Sequence, residues 1–131
     1  MEEIFPGGIF PWGNEEPTCE LAKFAGCGDS SVPIGSLSDE GASWVGAKDM
    51  AGNVWEWTAD YKAEYPKEPQ INPTGPELVA TPEIGETWMY KVSRGGSFLS
   101  APDTLHMAYR KRAGGNQPNL GFRCAASVSV N

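Results

Sequence analysis

Residues 49–58, Asp-Met-Ala-Gly-Asn-Val-Trp-Glu-Trp-Thr, admit few backbone solutions. Trp55 and Trp57 are two positions apart with Glu56 between them. On an extended segment both indoles then face one side and the carboxylate faces the other. Two indoles on one face bury a large apolar area, so the stretch reads as a core strand. Asp49, Glu56 and the backbone carbonyls near Gly52 offer oxygens on the opposite side, the hard donors that calcium takes. The competing reading leaves the same core strand with Glu56 solvated, or bonded to backbone or to an arginine.

The rest of the chain has to supply a core around that strand. At 131 residues, residues 1–131 read as one domain with one modest core. Sixteen Gly and eleven Pro argue against long helices and for turns, short strands and ordered loops. Leu, Ile and Val are sparse, so the core is expected to be aromatic. The net charge of −7 makes nucleic acid a poor partner, because phosphate binding needs concentrated Lys and Arg. The basic residues Lys91, Arg94, Arg110, Lys111, Arg112 and Arg123 lie in the last third. The first half is acidic and suits cations. No apolar run reaches membrane-spanning length, and Met1-Glu2-Glu3 lacks the basic start of a signal peptide.

Taken in order, residues 9–14 (Ile-Phe-Pro-Trp-Gly-Asn) read as an extended lead and a turn that anchors aromatic rings. Cys19 and Cys27 fit no zinc spacing. With three cysteines in the chain, at most one intrachain disulfide forms, and a small Cys19–Cys27 loop is the candidate in an oxidising compartment. Residues 30–48 are a turn-rich connector. Residues 59–89 carry Pro66, Pro69, Pro73, Pro76 and Pro82, and regular structure is not expected before Trp88. Tyr61, Tyr65 and Trp88 there either line a groove or staple the loop. Residues 88–94 read as a strand, Gly95-Gly96 as a close approach or bulge, and residues 120–125 as a last strand apolar enough to be central. Arg110-Lys111-Arg112 is either a patch for a small anion or an acidic peptide, or a set of structural arginines. Ser100, Asp103 and His106 lack the elbow and oxyanion features of a hydrolase triad.

Three motifs occur in fixed order: Gly-Asn-Val-Trp-Glu-Trp at 52–57, Arg-Gly-Gly-Ser-Phe at 94–98, and Asn-Leu-Gly-Phe-Arg at 119–123. Together they resemble the formylglycine-generating enzyme (sulfatase-modifying factor) family, from about Phe10 to Ala126. The resemblance covers only the carboxy-terminal half of that family's domain. It implies an α+β, C-type-lectin-like fold with short strands, much irregular backbone and few helices. It implies a calcium site formed by the side chains of Asp49 and Glu56 and the main-chain carbonyls of Gly52 and Val54. A second family calcium site uses an Asn where this chain has Lys23, whose ammonium cannot ligate a cation. The Cys19–Cys27 spacing also resembles bacterial members.

In this family two cysteines after Gly-Gly-Ser hold copper(I), which prefers soft sulfur. Here those positions are Ser100 and Leu105, so neither copper nor formylglycine synthesis is expected. The cysteine at Cys124 pairs, in the family, with the half that has no counterpart here. A related branch, the sulfoxide synthases, holds iron on three histidines, and this chain has His106 alone. The resemblance therefore implies a non-catalytic, calcium-stabilised binding or structural module. The same scaffold displays variable binding surfaces between its second and third motifs, here residues 100–119. Candidate ligand contacts are Trp55, Ser97, Ser100, His106 and Arg110. The partner is an unspecified protein, peptide or small ligand, a second copy, or the missing half-domain. The alternative is a subunit or fragment of a formylglycine-generating oxidoreductase or of a sulfoxide synthase.

Overall fold

The alternation around Trp55 does produce a strand, and the other strands are arranged about it. The computed structural model describes residues 8–71, 73, 75, 76 and 90–126. Four strands form one sheet: β1 (Trp55–Tyr61), β2 (Lys91–Arg94), β3 (Lys111–Ala113) and β4 (Leu120–Gly121). Their order is β3-β2-β1-β4. β1 pairs antiparallel with β2 and parallel with β4, and β2 pairs antiparallel with β3. The β1–β2 register shifts between Trp57 and Tyr61, and the Thr58 hydroxyl donates to the Val92 carbonyl across it.

The only helical segments among the described residues are two 3-10 turns, Asp39–Gly41 and Pro102–Leu105. Ser38 caps the first by accepting from the Glu40 N–H, and Pro102 opens the second with its φ already set. The expected sparsity of helix follows from the Gly and Pro content. Trp88, Met89 and Pro82 lie outside the described residues, so β2 is seen from Lys91 onward.

The centre of the molecule is a crossing of backbones more than a packing of large side chains. Gly52 donates to the Gly95 carbonyl at 2.7 Å, and Asn53 to the Lys23 carbonyl at 2.7 Å. Phe98 donates to Asn53, and Ala25 to Ser100. Gly52 has φ +77, and a Cβ there would lie 2.4 Å from the Lys23 carbonyl oxygen. Only glycine serves where two chains approach so closely in that conformation. Asn53 also has positive φ (63). Its amide is tied at both ends to the Val32 backbone, accepting at 2.9 Å and donating at 3.1 Å, which offsets the strain.

This crossing explains why the core departs from an aromatic one. Its buried apolar residues are Phe10, Ala22, Ala51, Trp55, Val92, Phe98, Leu105 and Ala113. Small side chains stand where main chains meet, and rings fill the margins. Phe10 stacks on Trp12 with centroids 5.2 Å apart, and the Phe10–Gly13 backbone pair closes the turn between them. The last strand is also a correction. β4 is two residues long and stands at the sheet edge. Phe122 is 75% exposed, because the chain leaves the sheet after Gly121 to bring Arg123 back to the first motif.

Candidate functional site

The first motif and the third converge on one ionic cluster. Glu56 sits on β1 opposite Arg94 on one side and Gly121 on the other. Its carboxylate receives the Arg123 guanidinium: Nε donates to Oε2 at 2.6 Å, and Nη2 to Oε1. Arg123 also donates to the Lys48 carbonyl at 2.9 Å and the Asp49 carbonyl at 3.0 Å. The hydrogen bonds that Arg123 donates to Glu56 raise its pKa, with partial burial opposing and the charges of Glu56 and Asp49 adding. Asp49 has φ 54 and accepts the Gly35 N–H on Oδ2 at 2.6 Å. Arg123 thereby clamps the last strand to the turn before Gly52 with a fork of the kind that suits carboxylates.

Of the four residues assigned to calcium, Asp49 and Glu56 meet through Arg123, by the Asp49 main-chain carbonyl and the Glu56 carboxylate, so Glu56 is bonded to an arginine as in the competing reading. The donor set suits a hard cation: two carboxylates and two main-chain carbonyls. A carboxylate has about four lone-pair sites, so the two taken by Arg123 leave Glu56 capacity for an ion.

The candidate ligand residues separate into two groups. Ser97 is fully buried. Its hydroxyl accepts from Asn119 Nδ2 at 3.0 Å and from the Leu99 N–H, and lies 3.1 Å from the Ser100 hydroxyl. Ser97 therefore holds the second and third motifs together and is not open to a ligand, which corrects the expectation for that residue. Ser100 accepts the Ser97 N–H at 2.9 Å and is half-buried. Leu105 is 1% exposed and belongs to the core with Phe10, Ala22 and Ala51. A hydroxyl and an isobutyl group give copper(I) no soft donor, and the free Cys124 lies exposed elsewhere. Trp55 is 4% exposed, flanked by Tyr109 at 5.9 Å and with Lys111 over its ring. His106 is half-buried, edge-on to Phe10 at 5.1 Å, so it packs as well as facing outward. Arg110 is the candidate that lines a cleft: it lies over the Tyr65 ring at 3.5 Å.

Cys19 and Cys27 form the disulfide. Inside that loop the Lys23 ammonium donates to the Cys27 carbonyl, and Lys23 is 9% exposed. Lys23 thus has a structural role inside the disulfide loop. Asn53 and Asn119 were missed as organising residues. Their signal is position: Asn53 follows Gly52 in the first motif, and Asn119 opens the third.

Fold, motif order and clustered site together define a sulfatase-modifying-factor domain. The family model described as "Sulfatase-modifying factor enzyme 1-like domain" matches residues 7–128, and the chain belongs to that family. It is 37% identical over 103 residues to hercynine oxygenase of Mycolicibacterium smegmatis, covering 77% of this chain and 23% of that protein. It is 33% identical over 140 residues to formylglycine-generating enzyme of Streptomyces coelicolor, covering 98% and 40%. The chain therefore spans less than half the length of these curated relatives. Among solved structures, Treponema denticola variable protein 1 superposes with a TM-score of 0.66 at 23% identity, covering 89% of this chain and 41% of that one. That likeness bears on the fold, which is the α+β, C-type-lectin-like architecture with few helices. No helix among the described residues is long and apolar enough to cross a membrane.

Proposed function

We propose that this domain is a non-catalytic binding module of its family, stabilised by calcium and presenting residues 100–119 and their neighbours to a partner. One observation carries the reading: at the two positions where the family resemblance implies copper-holding thiolates, Ser100 is engaged with Ser97 and Leu105 is buried in the core. Copper-dependent oxygen chemistry has no sulfur to start from there. The scaffold around those positions is kept by Asn119, Asn53 and Arg123, whose bonds are structural.

The test is direct. Purified protein with copper(I) and a cysteine-containing sulfatase peptide is expected to consume no oxygen and form no aldehyde, and aldehyde formation would overturn the reading. Calcium is tested separately by melting with EDTA and then with excess calcium. Calcium at about 100 times its Kd contributes about 2.7 kcal/mol by linkage, a shift of several degrees for a domain of this size. Glu56→Gln removes that shift. An unchanged melting temperature in the native protein removes calcium from the proposal and leaves Arg123 as the cluster's cation.

A second reading is favoured by the 37% identity to hercynine oxygenase. In it the chain is one wall of a longer oxidoreductase whose reactive metal is held elsewhere. An immunoblot of the source cells separates the two: a product several times longer than this chain favours the second reading.

A further inference from the structure

Three arginines share one face of the sheet. The register pairs Val92 with Arg112 and Ser93 with Lys111, and the next step sets Arg110 opposite Arg94. Both engage the same tyrosine: Arg110 lies over the Tyr65 ring at 3.5 Å, and Arg94 Nη2 donates to the Tyr65 hydroxyl at 3.2 Å. Arg112 stands two residues along from Arg110, over the Tyr90 ring at 4.9 Å. Like charges directly opposite each other destabilise a sheet. The carboxylate across from Arg94 on the same face is Glu56, and Arg123 holds it. None of the three guanidiniums makes an ion pair among the described residues, where the pairs are Lys48–Asp39 and Arg123–Glu56. In a chain of net charge −7, three guanidiniums are thus kept close together without an ion-paired carboxylate among the described residues. Ring stacking holds the Arg110 and Arg112 planes and leaves their N–H edges for an incoming acid, while Arg94 is fixed beside them by donating to the Met107 carbonyl at 2.8 Å.

The face opens into a cleft of about 640 Å³, lined by Arg94 and Arg110 on the sheet side and by Tyr65, Pro66, Pro69 and Pro73 on the other. That volume is within the range of ligand sites. Its proline and tyrosine wall takes apolar matter, which a free inorganic anion lacks. Asp60, Glu64 and Glu68 also line it, so an acidic ligand has to seat on the arginine side, away from these carboxylates. Alternate side chains of an extended peptide are about 6–7 Å apart and point the same way, which matches Arg110 and Arg112 along the strand. A polynucleotide fits less well, because the chain's overall negative charge opposes its approach.

We propose that this arginine face and its cleft bind an extended acidic peptide, two carboxylate side chains seated on Arg94/Arg110 and Arg112 and an apolar side chain between them in the cleft. The proposal rests on the binding-module reading and names the partner's chemistry for the part of the surface that includes Arg110.

The experiment is fluorescence anisotropy with a rhodamine-labelled octapeptide of alternating Glu and Tyr. Raising NaCl from about 50 to about 300 mM is expected to weaken binding at least about fivefold, as for exposed charge pairs. Replacing each Glu of the peptide by Gln is expected to cost about tenfold or more, in line with charge-assisted bidentate contacts. Arg110→Gln and Arg112→Gln are expected to cost about fivefold each and more together, with melting temperatures held or raised because repulsion is relieved. Equal binding of the Gln peptide overturns the proposal, and so does unaltered binding by the double variant. Glutarate competing as well as the peptide reduces the site to one for small anions and overturns the peptide assignment. An oligothymidylate binding more tightly than the peptide does the same. These readouts are independent of oxygen consumption. Failed peptide binding without aldehyde removes only the partner, whereas aldehyde formation removes the reading beneath it.

Discussion

Two regions of the molecule are held in different ways. At the inner crossing, residues 22–25, 51–53 and 95–100 meet backbone to backbone, and the contacts are N–H to carbonyl bonds of 2.7–2.9 Å. In the outer region, around β3 and residues 60–71, the contacts are cations over rings: Lys91 on Tyr61, Arg110 on Tyr65, Arg112 on Tyr90. Buried backbone groups must be paired and leave no room for substitution. Exposed stacked side chains are individually weak and replaceable. The inner region therefore fixes the fold, and the outer one is free to carry recognition.

Two glycines in nearly the same conformation break this comparison open. Gly52 has φ +77 and Gly115 has φ +73. A Cβ on Gly52 would meet the Lys23 backbone at 2.4 Å, whereas one on Gly115 meets nothing within 4 Å. Alanine at Gly115 should cost only the left-handed strain of about 1–2 kcal/mol. Alanine at Gly52 adds a backbone collision to the same strain. It should lower stability by at least about 3–4 kcal/mol, at the diagnostic end of single substitutions. Urea melts of the two variants measure the difference. Equal losses would show that the inner crossing yields as easily as the outer loop.

Arg123 tests whether one side chain can matter as much as those backbone contacts. It joins β4 to Glu56 and to the Lys48 and Asp49 carbonyls. Its side chain is 40% exposed, so the loss in Arg123→Met is discounted for solvent to about 2 kcal/mol. A calorimetric midpoint lowered by roughly 5–10 °C would agree. The raised Arg123 pKa means its contribution is lost only as pH rises through that folded value, so the loss in the variant should be the same at pH 5 and pH 8. A loss that varied over that span would point to a different partner.

What could be read in the sequence follows the same division. The first motif announced its strand through the two-residue spacing of Trp55 and Trp57, and the glycines at 95 and 96 announced a close approach or a bulge. Both signals are local, since one residue type answers one backbone need. The disulfide was legible as a candidate from the short Cys19–Cys27 spacing, which left open whether the bond forms. What could not be read was long-range. An arginine on Glu56 was one of the two readings, but nothing near Arg123 names it as that arginine, 67 positions away, or says that Ser97 is spent on Asn119. The two-residue β4 lies at an edge although its sequence is apolar, since strand order is set by pairing that no single segment encodes. The cleft was half visible as tyrosines among prolines, but Arg94 and Arg110 meet on Tyr65 only once β2 and β3 are in register.

The smallest effect belongs to a surface pair that touches the inner region from outside. Lys48, whose carbonyl holds Arg123, sends its ammonium to Asp39. The Lys48 hydrogen bond and its charge together lower the Asp39 pKa below 3.8. A depressed carboxylate pKa stabilises the fold above the unfolded value and loses that contribution as pH falls through the folded one. Asp39→Asn should therefore melt slightly below the native protein at neutral pH, and the two curves should converge as pH drops below about 3.8. Asp39 is fully exposed to solvent, so about 0.15 M salt should shrink even the neutral-pH gap. A larger gap at neutral pH, persisting in salt, would mean that the Lys48 turn is held from the surface. The clamp on its carbonyl would then not be what fixes the first motif against the last strand.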